Sequence, residues 1–74
     1  MDSFLEDRIE VRTYFRRDGK LIGTEICDNE SEARVFAKHQ LSLFPYVEIV
    51  HVYGIMQPWG VFEVKRTDLI GIFE

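Results

Sequence analysis

The chain has 74 residues and a mass of 8.8 kDa, which allows one small domain. A domain of this size buries only about 60% of the surface that its unfolded chain exposes, so its stability margin is small. The single cysteine, Cys27, excludes an internal disulfide framework, and one Cys with two His cannot form a four-ligand zinc site without carboxylates or a second subunit. A hydrophobic content of 46% is too high for an intrinsically disordered chain.

Nine basic against thirteen acidic residues give a net charge of −4, which disfavours electrostatic binding of nucleic acid. The charges of residues 1–20 sum to zero, so residues 21–74 carry the whole acidic excess. No apolar stretch reaches the roughly 18 residues of a membrane-spanning helix. The acidic N-terminus also lacks the basic start and apolar stretch of a signal peptide. We therefore expect a cytoplasmic protein with a reduced thiol and no contact with a membrane.

Residues 1–7 are expected to form an N-terminal tail, and residues 8–74 a single ββαββ domain. Residues 8–16 alternate between apolar and polar side chains, which is typical of a half-buried strand. Asp18-Gly19 then predicts a two-residue type I′ turn, in which both central residues have positive φ. With that turn, apolar and β-branched residues of the first two strands share one face: Phe15 pairs with Ile22, Thr13 with Thr24, and Val11 with Ile26.

Asn29, followed three residues later by Glu32, is a variant of the capping box and predicts the start of a helix. A stripe of residues at helical spacing follows, apolar except for Gln40, and Pro45 should end the helix at or just before Phe44. The stripe consists of Ala33, Phe36, Ala37, Gln40, Leu41 and Phe44.

Residues 46–56 predict a third strand, and residues 57–60 a turn that leads into a fourth. Two hairpin registers are possible. A two-residue loop places His51 opposite Arg66, whereas a three-residue loop with Gly60 in the left-handed position pairs Met56 with Phe62. We favour the three-residue loop because it collects apolar side chains on one face, namely Val50, Val52, Met56, Phe62 and Val64, with Gly54 opposite Val64.

The C-terminal residues 69–73 are largely apolar, although chain ends are usually polar and loose. This segment could continue the fourth strand past a bulge, pack beneath the helix, or pack on a partner.

The order strand, strand, helix, strand, strand predicts an α+β fold, with one four-stranded, mainly antiparallel sheet and a single helix packed on one face. A right-handed connection through the helix places the third strand beside the first, where the two run antiparallel.

No catalytic set is apparent, so we do not expect an enzyme. A cysteine nucleophile needs a base within hydrogen-bond reach, but the predicted register puts Cys27 beside Glu10, which would raise the pKa of the thiol. The two histidines, His39 and His51, are expected to be half-exposed. No His or Cys spacing suits a metal and no glycine-rich loop suits a phosphate, so we expect neither a metal nor another cofactor.

The sheet face away from the helix is predicted to carry aliphatic and aromatic side chains with arginines beside them. A solvated face would be mostly Thr, Lys, Glu and Ser. Since Tyr and Arg are enriched at interface hot spots, this face is a candidate binding surface. Alternatively, long Arg stems and Tyr rings simply cover the back of a thin sheet. The candidate contact residues are Arg8, Arg12, Tyr14, Arg16, Ile49, His51, Tyr53 and Ile55.

The turn and the C-terminal segment form a second candidate surface. Trp59 at the tip of the turn could anchor a partner or fold back over the end of the helix. The candidate residues of this surface are Trp59, Leu69, Ile70, Ile72 and Phe73.

These features favour a small acidic, non-enzymatic protein-binding module that acts through an open sheet face or edge, with a homodimer as the expected assembly. Compact acidic chains without a catalytic set are often regulators, inhibitors or adaptors of larger proteins, including ones encoded by phages. The alternative is a module that binds single-stranded nucleic acid through the Arg and Tyr side chains of the sheet. The net charge opposes that alternative.

Overall fold

The computed structural model describes residues 4–74, which form four strands and one helix. The strands form one antiparallel sheet in the order β2-β1-β3-β4, and α1 packs across one side of it. We call that side the helix face and the other side the open face. The predicted α+β fold is confirmed, including the placement of β3 beside β1. The elements are β1 (Phe4–Tyr14), β2 (Leu21–Cys27), α1 (Glu30–Leu41), β3 (Tyr46–Met56) and β4 (Phe62–Phe73).

β1 begins at Phe4, four residues before the predicted strand. Residues 4–7 pair with residues 53–56 of β3 instead of forming a tail. β3 is long enough to offer main-chain partners along this stretch, and strand pairing uses main-chain groups, so the acidic side chains do not prevent it. The rest of the predicted tail, residues 1–3, lies outside the described residues.

The β1–β2 hairpin is present, but its turn is wider than predicted. Residues 15–20 connect the two strands, and a hydrogen bond of 2.9 Å from the Gly19 N–H to the Arg16 carbonyl closes the turn. Within residues 4–74 only Gly60 has a positive φ. The prediction of a type I′ turn at Asp18-Gly19 is therefore wrong.

The register of this hairpin also differs from the prediction. Val11 pairs with Glu25 rather than Ile26, and this shift of one residue moves the side chains of residues 24–27 to the opposite face. Only two residues separate Cys27 from α1, so the end of β2 lies beneath the start of the helix. Cys27 is buried there as part of the core, while Ile26 faces away. We attribute the register to this short connection to the helix, which the turn residues do not reveal.

α1 carries the predicted stripe from Ala33 to Leu41, but it ends at Leu41, so Phe44 lies beyond the helix. The side-chain oxygen of the N-cap residue Asn29 accepts a hydrogen bond of 2.8 Å from the Glu32 N–H. Ala33 and Ala37 are completely buried, and their small side chains let the helix lie close to the sheet. The polar member of the stripe, Gln40, donates from Nε2 to Thr13 Oγ1 across 3.3 Å, which ties the helix to β1.

The β3–β4 hairpin has the predicted three-residue loop. Met56 pairs with Phe62, and the Gln57 N–H donates to the Val61 carbonyl across 2.8 Å. The Gly60 N–H donates to the Gln57 carbonyl across 2.9 Å, and Gly60 has a φ of +90°. Only glycine adopts this left-handed conformation readily, which explains its position at the end of the loop.

The apolar C-terminal segment continues β4, and it also packs beneath the helix. Two extra residues, Lys65 and Ile70, bulge from β4 where its register against β3 shifts. Ile70 and Phe73 pack on the core under α1. Leu69 and Ile72 point to the open face, where they are 54% and 42% exposed.

The assignment of β3 side chains to the two faces was inverted in the prediction. Val11 of β1 lies beside Ile49 of β3, and both are completely buried under α1 together with Val47. Val50 and Val52 share the open face. Because β3 is apolar on both sides, its alternation alone does not reveal which side the helix covers.

Two strand glycines differ sharply in the space around them. A Cβ at Gly54 would clash with the Glu63 carbonyl and lie 2.6 Å from Phe62 Cζ, because the Phe62 ring lies across this glycine. At Gly23 the same atom would meet nothing within 4 Å.

We therefore expect Gly54→Val to lower the free energy of unfolding by about 1–3 kcal/mol, the usual cost of overpacking. Gly23→Val should be neutral or stabilising, since β-branched residues suit a strand. Chemical denaturation of both variants checks this prediction, and equal stabilities would contradict it.

Candidate protein-binding face

The open face takes side chains from all four strands. On β1, Ile9, Val11 and Thr13 point toward α1, so the residues between them point the other way. The cross-strand pairs extend the open face over the neighbouring strands. Its central residues are Arg8, Glu10, Arg12 and Tyr14 of β1 and Tyr46, Glu48, Val50 and Val52 of β3. Its outer residues include Ile26 of β2 and Phe62, Val64, Leu69 and Ile72 of β4.

A buried carboxylate lies at the centre of this face. Glu10 is only 5% exposed although no helix covers it. Arg8 Nε donates to Glu10 Oε2 across 2.9 Å, and Arg12 donates to Glu10 Oε1 from Nη2 across 3.1 Å and from Nε across 3.2 Å. Charge-assisted hydrogen bonds from both sides compensate for the burial of the charge. We call Arg8, Glu10 and Arg12 the Glu10 cluster.

A second carboxylate, Glu48, lies opposite Arg12 on β3. The Tyr46 hydroxyl donates to Glu48 Oε2 across 3.1 Å, and the Tyr14 and Tyr46 rings meet edge to face with centroids 5.6 Å apart. Burial, followed by the hydrogen bond to Glu48, raises the pKa of both tyrosines. Both phenols therefore stay protonated at neutral pH, and this corner of the face is internally satisfied.

Arg8 also covers an aromatic ring at the other end of the cluster. Its guanidinium carbon lies 4.2 Å from the centroid of the Phe62 ring, which itself lies across Gly54. Such a cation–π contact adds to the ion pair with Glu10 and holds the long side chain against the sheet.

Apolar side chains remain exposed on both flanks of the Glu10 cluster. Ile26 on β2 is 57% exposed, and on β4 Val64 is 50% exposed. Ile26, Glu10, Val50 and Leu69 are successive cross-strand neighbours, so they form one row across the sheet. The open face thus combines a centre of paired charges with apolar margins.

The structure divides the predicted sheet-face residues between the two faces. Arg8, Arg12 and Tyr14 lie on the open face as predicted, whereas Arg16 lies in the β1–β2 connection. The assignment of the four β3 residues to the same face is wrong, because β3 is paired with its other side toward α1. Those residues are Ile49, His51, Tyr53 and Ile55.

Burial decides two further questions about the predicted residues. Ile49 is completely buried, so it contributes to the core and not to a binding surface. In the turn and C-terminal group, Ile70 and Phe73 pack on the core, while Leu69 and Ile72 join the open face. Trp59 does not fold back over the helix and is 72% exposed at the tip of the turn.

Sequence reasoning missed Glu10, Ile26 and Val64 as members of the open face. Period-two alternation places Glu10 between Arg8 and Arg12, and this was the signal available for it. Ile26 was missed because its face depends on the β1–β2 register, and Val64 because its face depends on which side the helix covers.

His51 and Tyr53 are partly buried and belong to a side-chain network on the helix face, beyond the end of the helix. His51 Nε2 lies 2.6 Å from Asp7 Oδ2, and the Tyr53 hydroxyl lies 3.2 Å from His51 Nδ1. The two rings stack at 4.3 Å, and the Arg66 guanidinium covers the Tyr53 ring. Cys27 lies two strands away from His51, with Ile9 between them. The network therefore does not place a thiol beside a base.

The Cys27 thiol is held in its protonated form. Burial is the main cause of its raised pKa, and the nearby carboxylates of Glu32, Glu25 and Asp28 raise it further. A thiolate is the reactive form, so this environment opposes nucleophilic chemistry.

No family model, curated protein or solved structure matches this chain. Among residues 4–74, no three His, Cys, Asp or Glu side chains are grouped so that they could hold a metal ion. The single helix of the described part is too short and too polar to cross a membrane.

The Glu10 cluster yields a prediction about stability. Glu10→Gln removes a buried charge that two arginines share, so we expect the free energy of unfolding to fall by about 1–3 kcal/mol. The matched control is Asp68→Asn, which breaks the 3.0 Å ion pair between Asp68 and Arg66 at the same spacing along β4, but with both side chains about half exposed or more. An exposed pair contributes roughly 0–1 kcal/mol. Urea denaturation would contradict this account if Asp68→Asn were the more harmful change.

Proposed function

We propose that this chain is a small, non-enzymatic protein-binding module that uses its open face. The observation that carries the proposal is the exposure of large aliphatic side chains on a rigid sheet, on both sides of the Glu10 cluster. Ile26, Val64 and Leu69 are each at least half exposed there. Several large apolar side chains left exposed on one face are characteristic of sites where proteins interact.

The polar groups of this face suit a protein partner. Arg8 and Arg12 are already paired with Glu10, and their stems lie along the sheet. Burying them in an interface would therefore not leave an unpaired charge, which would be costly. An apolar patch around a satisfied ion cluster can be covered at little electrostatic cost.

The pairing of Arg8 and Arg12 with Glu10, together with the positions of the other candidate residues, weakens the hypothesis that the chain binds nucleic acid. That reading requires Arg8, Arg12, Arg16, Tyr14 and Tyr53 to form one basic and aromatic surface. Tyr53 lies on the helix face and Arg16 in a connection, so the five do not come together. Phosphate groups would meet two arginines that are already hydrogen-bonded to Glu10, beside the second carboxylate of Glu48.

A module of this kind acts by occupying a surface of another protein. The role of regulator, inhibitor or adaptor therefore fits the proposal, because each needs only a rigid face and no reactive groups. The distance of Cys27 from His51 and the protonated state of its thiol are in line with such a role.

Affinity capture from host-cell extract with three forms of the chain tests the proposal. Leu69→Lys puts a charge on the open face, and Val35→Lys puts the same charge on α1 at a position that is 71% exposed. We expect proteins retained by the wild type and by Val35→Lys to be lost with Leu69→Lys. Retention of the same proteins by all three forms would contradict a role for the open face.

A further inference from the structure

We infer that the open face binds a second copy of this chain, face to face, about a two-fold axis that runs parallel to the strands. The inference rests on the proposed function and adds the identity and orientation of the partner. It comes from the order of residues within the rows that cross the sheet, and from the charges in those rows.

A two-fold axis parallel to the strands reverses the order of the strands in the facing copy. β2 then lies over β4 of the second copy, and β1 lies over β3. Each cross-strand row of one copy faces the same row of the second copy, with the order of its residues across the sheet reversed. In the central row, Ile26 of one copy meets Leu69 of the other, so the most exposed aliphatic residue of each flank is covered by its counterpart.

The next row carries the charge complementarity. Its cross-strand neighbours are Thr24, Arg12, Glu48 and Ile72. Reversing this row sets Arg12 over Glu48 of the second copy, and symmetry repeats the contact, so opposite charges meet twice. Complementary charges of this kind fix the orientation of two surfaces.

The other simple arrangement has the axis perpendicular to the strands. With the axis through Glu10, β1 lies over β1, Glu10 faces Glu10 of the second copy, and Arg8 faces Arg12. Like charges in direct contact oppose association. A shift of that axis to Val11 removes the like charges but leaves Ile26 over Thr24, so the axis parallel to the strands is the arrangement that both pairs opposite charges and covers Ile26 with Leu69.

The available area suits a dimer of moderate affinity. Four strands about 4.8 Å apart, and long enough for seven to nine residues at about 3.3 Å each, present a face of about 500 Å². Two such faces bury about 1,000 Å², the lower limit for specific interfaces. This is about a tenth of the 5081 Å² surface of each copy. We expect self-association at micromolar concentrations.

A pair of complementary variants of the full chain tests the orientation. Ile26→Glu and Leu69→Lys each place a charge against an aliphatic side chain of the second copy, so each alone should weaken self-association about tenfold or more. In an equimolar mixture the new Glu faces the new Lys, while the other flank keeps its Ile–Leu contact. The mixture should therefore recover dimers. Val35→Lys on the helix should dimerise like the wild type.

Sedimentation velocity measures these masses, and circular dichroism confirms that each variant is folded. If a variant of this pair fails to fold, Thr24→Glu and Ile72→Lys form the equivalent pair in the next row. Concentration-dependent growth of the wild type toward twice 8.8 kDa, with loss in each variant and recovery in the mixture, is the expected result.

Three results would overturn the inference. A wild-type mass that stays at 8.8 kDa at hundreds of micromolar would exclude the second copy. The proposed binding of another protein would then be tested by the capture experiment alone. Variants that dimerise like the wild type would place the dimer contact elsewhere. Loss of dimers in each variant without recovery in the mixture would refute the axis parallel to the strands.

Discussion

The contact of Val11 and Ile49 beneath α1 fixes which side of each central strand the helix covers. Both residues are completely buried, and they are direct neighbours on the two central strands. Side chains alternate along a strand, so this one pairing sends Glu10 and Val50 to the opposite side. The composition of the open face, and with it every functional expectation, follows from that choice.

A single helix can cover only one side of a sheet, and in this chain the uncovered side carries many apolar side chains. The Glu10 cluster makes that side compatible with solvent, because it places charged groups at the centre of the face and each of them has an ion-pair partner. The same cluster makes the face suitable for burial, since its charges are already compensated. The margins at Ile26 and Leu69 remain the parts of the face that gain most from a partner.

Local signals in the sequence predicted the local structure well. The N-cap at Asn29 and the loop that ends at Gly60 depend on interactions within a few residues, and both are confirmed. The order of the elements was enough to place β3 beside β1. The faces of β3 were assigned wrongly because that strand is apolar on both sides. The β1–β2 register was wrong because the short connection from Cys27 to the helix outweighs the turn preference of Asp18-Gly19. Both errors concern tertiary constraints, which strand alternation and turn residues do not encode, and both changed the predicted binding residues.

Isoleucine methyl NMR over a dilution series tests most directly whether the open face binds a second copy of this chain. Ile26 and Ile72 report on the open face, while Ile9 and Ile55 report on the helix face of the same sheet. The account predicts that the methyl signals of Ile26 and Ile72 shift with protein concentration while those of Ile9 and Ile55 stay in place. Concentration-dependent shifts confined to Ile9 and Ile55, or no shift at any of the four up to millimolar concentration, would contradict it.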